Sequence, residues 1–234
     1  MIGRARCLSV VLVVMLTGNL LHAQERTKPE VTQELWSSFA LQGRATILKG
    51  ILGKNIAKRI KTNTELGYRS TDAFFAGKQV YLDLGAGYKV SDHVSVGGEF
   101  RYAYRTDAAD RQRLCALFEY STTVDRLDLG YRFDYQHNFR PFGDVREVFR
   151  NKFSAGYNIP KFKFDPKFSV EFFQWAGPQG LIYFGTRYKL GTEWSPKKGH
   201  TLGFGVVHDR ERMIYAPSYR VIAAIDYTIN LRKN

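Results

Sequence analysis

Residues 79–136 read QVYLDLGAGYKVSDHVSVGGEFRYAYRTDAADRQRLCALFEYSTTVDRLDLGYRFDYQ. Apolar and polar side chains alternate along four segments of this stretch; Val80 and Leu82, for example, alternate with Tyr81 and Asp83. Successive side chains of a β-strand leave opposite faces of the sheet, so this period of two predicts four strands. In each segment one face carries no charge, whereas the other is rich in arginine, aspartate and glutamate.

The same alternation predicts further strands on both sides of this stretch. They cover residues 31–52, 56–69, 149–157, 164–175, 181–193, 200–208 and 219–231. With no convincing helix and no linker between them, these segments predict one all-β domain. The segments number about eleven, whereas single-chain bacterial barrels normally have an even number of strands. A break of the opening run near Gln42-Gly43 would give twelve strands, the favoured number, and the loss of a weak segment would give ten.

Two architectures fit strands with one uncharged face. A soluble sandwich buries the apolar faces of two sheets against each other, whereas a transmembrane barrel turns them to lipid. Most segments reach the roughly 9–11 residues that a tilted strand needs to cross a bilayer. Short connections at 91–92, 123–125, 158–162 and 195–199 alternate with mostly longer ones at 106–110, 138–147, 176–180 and 209–218. We therefore predict a single antiparallel, up-and-down transmembrane β-barrel of about 10–12 strands.

The N-terminus has the form of a secretory signal peptide. Arg4 and Arg6 precede an apolar run over residues 8–16, and Ala23 offers a small residue at a cleavage site. We predict a signal peptide over residues 1–23 and a barrel domain over 24–234, located in the outer membrane of a Gram-negative cell. The expected partner is membrane lipid, including lipopolysaccharide; protein partners are not indicated. The net charge of +13 is scattered, and no nucleic-acid-binding module is predicted.

The sequence gives little support for an enzyme. Glycine pairs lie within strands and precede no helix, and the five histidines are far apart, so no cofactor and no metal site are predicted. Two Asp/His pairs near the ends assigned to the outer rim are weak catalytic candidates: Asp134 with His137, and His208 with Asp209. An enzyme acting there on lipid or peptide, or a periplasmic lipocalin-like binding barrel, is the alternative function; lipocalins have eight strands.

The charges on the polar faces are predicted to share the barrel lumen. They are Asp83, Glu99, Arg101, Arg105, Glu119, Asp128, Arg132, Asp134, Arg150, Lys152, Glu171, Arg187, Lys189 and Asp226. One interpretation is a structural barrel filled with ion pairs; the other is a narrow, anion-preferring pore or small-solute channel. The filled barrel is favoured, because barrels much smaller than about 16 strands rarely hold an open aqueous channel.

The chain resembles the domain-of-unknown-function family 2490, predicted Gram-negative outer-membrane β-barrels. The resemblance rests on Glu34-Leu35-Trp36, on residues 82–104 and 129–136, and on the segments 150–153, 157–159 and 170–172. It implies the barrel fold and the outer-membrane compartment. It implies no activity and no catalytic residue.

Overall fold

The computed structural model describes residues 30–45, 49–71, 74–106, 108–142, 145–177, 180–212 and 218–231. The predicted signal peptide therefore lies outside the described residues. The strands are β1 (Glu30–Arg44), β2 (Ile60–Ser70), β3 (Gly77–Lys89), β4 (Val94–Arg105), β5 (Arg111–Val124), β6 (Leu127–Phe142), β7 (Val145–Tyr157), β8 (Asp165–Gly177), β9 (Gly180–Trp194), β10 (His200–Glu211) and β11 (Ser218–Leu231). Two short helices, α1 (Lys49–Leu52) and α2 (Lys54–Arg59), connect β1 to β2. Among the described helices, neither is long and apolar enough to cross a membrane.

The eleven strands form one closed barrel. Each strand pairs antiparallel with its neighbours in the chain, and β1 pairs with β11 in parallel, from Glu30 opposite Ser218 to Gly43 opposite Leu231. Direction reverses at every connection, so an odd number of strands makes the first and last strands parallel. The predicted barrel is confirmed, with a strand number inside the expected range and one parallel pair. The favoured number of twelve is wrong, because β1 continues unbroken through Gln42-Gly43 to Arg44.

The connection between β1 and β2 differs from the prediction. The sequence predicted strands over residues 31–52 and 56–69, whereas α1 and α2 occupy residues 49–52 and 54–59 and β2 begins at Ile60. Helices of four and six residues are too short to show a period of 3.6, and this explains why the sequence pattern missed them. Ala57 is buried, but Ile51 and Ile56 remain exposed.

The predicted loops at 138–147 and 176–180 are also largely wrong. Strand β6 continues to Phe142 and β7 begins at Val145, while β8 ends at Gly177 and β9 begins at Gly180. Proline lacks an N–H donor but is tolerated at irregularities of pairing, and Pro141 lies at one, so it does not end β6. The pairing of β6 with β7 shifts register between His137 and Phe142. Connection length therefore does not distinguish the two ends of this barrel.

Burial in the barrel is the reverse of that in a globular protein. Leu82 is 39% exposed and Leu190 63%, whereas Asp83 is 3% exposed and both Asp134 and Asp209 are 1% exposed. The buried apolar cluster is small: Val207, Ile222 and Ala224, with Trp36 packed against it. The strands thus direct charged side chains into the barrel and large apolar ones out of it.

Candidate functional site: the charged interior of the barrel

A chain of ion pairs runs around the inside of the barrel from β4 to β11. Glu99 contacts Arg113 and Arg132 at 3.4 and 3.7 Å, and Arg132 contacts Asp134 at 2.6 Å. Asp134 then contacts Arg150 on β7 at 3.2 Å. Each strand places alternate residues inward, and neighbouring strands lie about 5 Å apart, so opposite charges at the same level meet across the pairing.

Glu171 on β8 is the centre of this chain. Its carboxylate contacts Arg150 at 2.7 Å, Lys152 at 3.6 Å and Arg187 at 3.4 Å. Arg187 continues the chain to Asp209 on β10 at 2.8 Å. A carboxylate excluded from water is stable only when paired and hydrogen-bonded, and three cations meet that requirement here.

The chain reaches β11 through Asp209, and a separate ion pair lies beside the parallel seam between β11 and β1. Arg220 on β11 contacts Asp209 at 2.8 Å and also pairs with Glu211. Asp226 on β11 contacts Lys189 at 2.7 Å and accepts a hydrogen bond from Ser38 on β1 at 3.0 Å. Asp226 therefore joins side chains across the seam.

The sector formed by β1 to β4 has a different composition. The Arg69 guanidinium lies over the ring of Trp36 at 4.1 Å and over that of Tyr81 at 5.2 Å. Arg187 lies over Trp36 at 4.9 Å, and Arg101 lies over Tyr81 at 4.1 Å. Cations over aromatic faces are attracted by the ring quadrupole. Here aromatic rings, rather than carboxylates, separate three arginines.

Gly67 makes room for one of these rings. A Cβ atom at Gly67 would overlap the ring of Tyr81, which lies over the backbone there. The Tyr81 hydroxyl donates a hydrogen bond of 2.7 Å to Glu65. Glu65 and Arg69 lie on the same face of β2, four residues apart, and the Tyr81 ring fills the space between them.

The structure brings most of the predicted lumen residues together. All of that set except Arg105 and Asp128 form ion pairs with described residues. Asp128 accepts a hydrogen bond of 2.7 Å from Thr123 near the start of β6. Arg105 is the last residue of β4. These two residues therefore lie near the ends of the barrel.

The two Asp/His pairs are not assembled as catalytic pairs. Asp134 is buried inside with Arg132 and Arg150, whereas His137 lies on the outer face, where its Nδ1 is 2.7 Å from Glu147. Asp209 is likewise inside, and exposed His208 stacks on Tyr188 outside. Residues at odd spacing on a strand point to opposite faces, and this separates both pairs. In the described part of the chain, no group of His, Cys, Asp and Glu could hold a metal ion.

Several interior residues are not among the predicted lumen residues. They are Glu34, Trp36, Glu65, Arg69, Tyr81, Glu211 and Arg220, and also Asp209, which was assigned to the outer rim. Glu34 contacts Lys78 at 2.9 Å and is 2% exposed. The alternation of β2 placed Glu65 and Arg69 on the polar face. For Asp209 there was little signal, because Gly203, Gly205 and Val207 share its face.

A closed β-barrel with a charged interior and an apolar outer face is the class that these features define. A comparison of the chain with models of known protein families identifies its family. Residues 33–215 match the model described as "Protein of unknown function (DUF2490)", and the chain belongs to that family. The match covers β1 from Gln33 through β10. No curated protein and no solved structure matched the chain.

Proposed function

We propose that the protein is an outer-membrane β-barrel whose wall spans the bilayer and whose interior is filled by paired charges, so that its primary role is structural. The observation that carries the proposal is the reversed burial: Leu82 and Leu190 face out while Asp83, Asp134 and Asp209 are enclosed. In water this arrangement would leave apolar surface exposed around the whole wall. In a bilayer the same apolar surface would contact the acyl chains of the lipid.

Details of the outer surface support insertion in a membrane. Tyrosines lie near the strand ends on the outer face, with Tyr88 and Tyr157 at one end of the barrel and Tyr104 and Tyr219 at the other. Such aromatic girdles sit at both interfaces of membrane barrels. An apolar groove of about 400 Å³ on the wall is lined by residues that include Leu129, Phe153 and Phe168, and it suits an acyl chain.

The loop between β1 and β2 also suits a membrane surface. Exposed Ile51 and Ile56 lie among basic residues, and no acidic residue occurs between residues 45 and 64. Apolar side chains beside lysine and arginine favour the headgroup region of anionic lipid. We expect this loop to rest on the lipid at its end of the barrel.

The interior favours a filled barrel over a wide pore. The ion-pair chain links strands around most of the circumference. A barrel of eleven strands is closer in size to eight-stranded barrels, whose interior is filled by side chains, than to porins of 16 strands. A narrow passage that prefers anions is the second candidate function. It is favoured by the aromatic sector, in which Arg69 lies over two rings and forms no ion pair with a carboxylate of the described residues.

Location and folding test the first candidate. The full chain is expressed with its predicted export signal, and the outer membrane is separated from periplasmic extract. We expect the protein in the membrane fraction, with a different gel mobility before and after boiling. Recovery of folded protein in the soluble extract would refute the proposal.

Bilayer recording separates the two candidates. The folded barrel is placed in a planar bilayer under a salt gradient, and the reversal potential reports the sign of selectivity. Silence is the result expected of the structural barrel, whereas small anion-selective steps would favour the second candidate. A large cation-selective conductance would contradict both.

A further inference from the structure

Arg69 lacks the acidic partner that the other interior arginines of this network have. Arg101, Arg113, Arg132, Arg150, Arg187 and Arg220 each contact at least one carboxylate. No carboxylate of the described residues lies within 4.0 Å of Arg69. Its Nε atom, like those of Arg113, Arg150, Arg187 and Arg220, is shielded from solvent and has no hydrogen-bond partner, so the missing ion pair is what sets Arg69 apart. A buried cation without a counterion is costly, so the site requires a compensating charge.

The charges around Arg69 increase this requirement. Arg101, Arg187 and Arg113 all act on it with like charge. Arg101 and Arg187 are held in place by Asp83, Glu171 and Asp209, so they cannot turn away without breaking their own ion pairs. The aromatic rings attract cations, but a ring carries no net charge and cannot neutralise Arg69.

Glu65 is the acidic residue on the same face of β2 as Arg69. It already accepts the Tyr81 hydroxyl hydrogen bond at 2.7 Å, and the Tyr81 ring fills the space over Gly67 between the two charges. Movement of Glu65 toward Arg69 would displace that ring from between Arg69 and Arg101. The fold therefore keeps this carboxylate away from the arginine.

We infer that the β1–β4 sector of the interior binds a small oxyanion, carboxylate or phosphate, on the Arg69 guanidinium. The planar guanidinium offers a fork of N–H donors that matches two oxygens of such an anion. The bound anion would lie beside Arg69 on β2, in the sector that the ion-pair chain from β4 to β11 does not reach. The inference goes beyond the proposed function, since a filled, non-conducting barrel could hold the anion equally well.

Folding equilibria with inorganic phosphate test the site. The mature chain is folded into phosphatidylcholine vesicles, and its urea midpoint is measured in sodium phosphate and in sodium chloride at equal ionic strength. Phosphate at ten times its Kd should raise the folding equilibrium constant about eleven-fold over its value without bound anion. Arg69→Gln should lose this dependence, while Arg210→Gln, which removes an arginine from the outer face, should retain it.

Each remaining outcome is decisive. Equal midpoints in phosphate and chloride for the wild type, or the same phosphate effect in Arg69→Gln, would overturn the inference. If Arg69→Gln does not fold, Arg69→Lys replaces it; the charge stays but the fork is lost, and an undiminished phosphate effect would again refute the site. A phosphate effect that appears only in Glu65→Gln would identify Glu65 as the counterion instead. The folded fraction, measured first, shows separately whether the proposed membrane barrel fails.

Discussion

An arginine at Phe118 should distinguish a membrane barrel from a soluble one. Phe118 is the eighth of the fourteen residues of β5, on the outer face, and it is 38% exposed. Its ring lies 6.5 Å from that of Tyr131, a contact that contributes about 0.5–1.5 kcal/mol. Beyond that contact, an exposed substitution in a soluble protein changes stability by about 0.5 kcal/mol or less.

In a bilayer the cost should be larger and should depend on depth. Arginine at the midplane of a membrane barrel costs about 2–4 kcal/mol, and near the interface about 0–1 kcal/mol. Phe118→Arg should therefore destabilise the barrel by about 2–4 kcal/mol. Tyr104→Arg should cost about 1 kcal/mol or less, because Tyr104 is the eleventh of twelve residues in β4 and 59% exposed.

The assay is urea unfolding in phosphatidylcholine vesicles, with folded protein identified by its gel mobility without boiling. Phe118→Gln serves as the control that removes the ring contact without adding charge. A Phe118→Arg cost no larger than that of Tyr104→Arg would refute the assignment of this face to lipid.

Three further predictions concern the interior. Glu171→Gln should cost about 3–5 kcal/mol in urea unfolding, because it removes a buried carboxylate from three cations. Gly67→Ala should cost about 1–3 kcal/mol by the same measurement, because its Cβ would overlap the ring of Tyr81. Cys115, 3% exposed, should react with a maleimide far more slowly in the folded barrel than in urea.

Each of the three has its own control. Ser169 lies on the same face as Glu171, and Ser169→Ala should cost less than about 1 kcal/mol. A similar loss of stability in both variants would contradict the explanation by charge. The double change Gly67→Ala with Tyr81→Ala should cost less than the sum of the single changes, and strict additivity would contradict the steric explanation. Equal labelling rates of Cys115 in folded and unfolded protein would contradict its enclosure.

The alternation of side chains allowed the wall of the barrel to be predicted. Residues such as Leu82 and Asp83 differ so strongly in polarity that a period of two separates the faces without other information. The pattern was weaker wherever the inner face was uncharged. Beside Val207, for example, Asp209 was interpreted as a rim residue and not as part of the interior.

The ion-pair partners of the interior residues could not be predicted from the sequence. Which carboxylate meets which arginine depends on register between strands, and the shift between His137 and Phe142 shows that register is not constant along a pair. The isolation of Arg69 depends on a glycine and a tyrosine on neighbouring strands, and neither residue type signals a charged site. The short helices between β1 and β2 fall below the length at which periodicity is visible.

The parallel seam fixes the ends of the barrel at which β1 begins and β11 finishes. Glu30 pairs with Ser218 and Gly43 pairs with Leu231, so β1 and β11 start at one end of the barrel and finish at the other. A segment that precedes β1 and a segment that follows β11 therefore emerge from opposite openings. In a barrel that crosses a bilayer these two segments would be on different sides of the membrane, and a protein confined to one side could bind only one of them. An even-stranded barrel would present both segments to the same side.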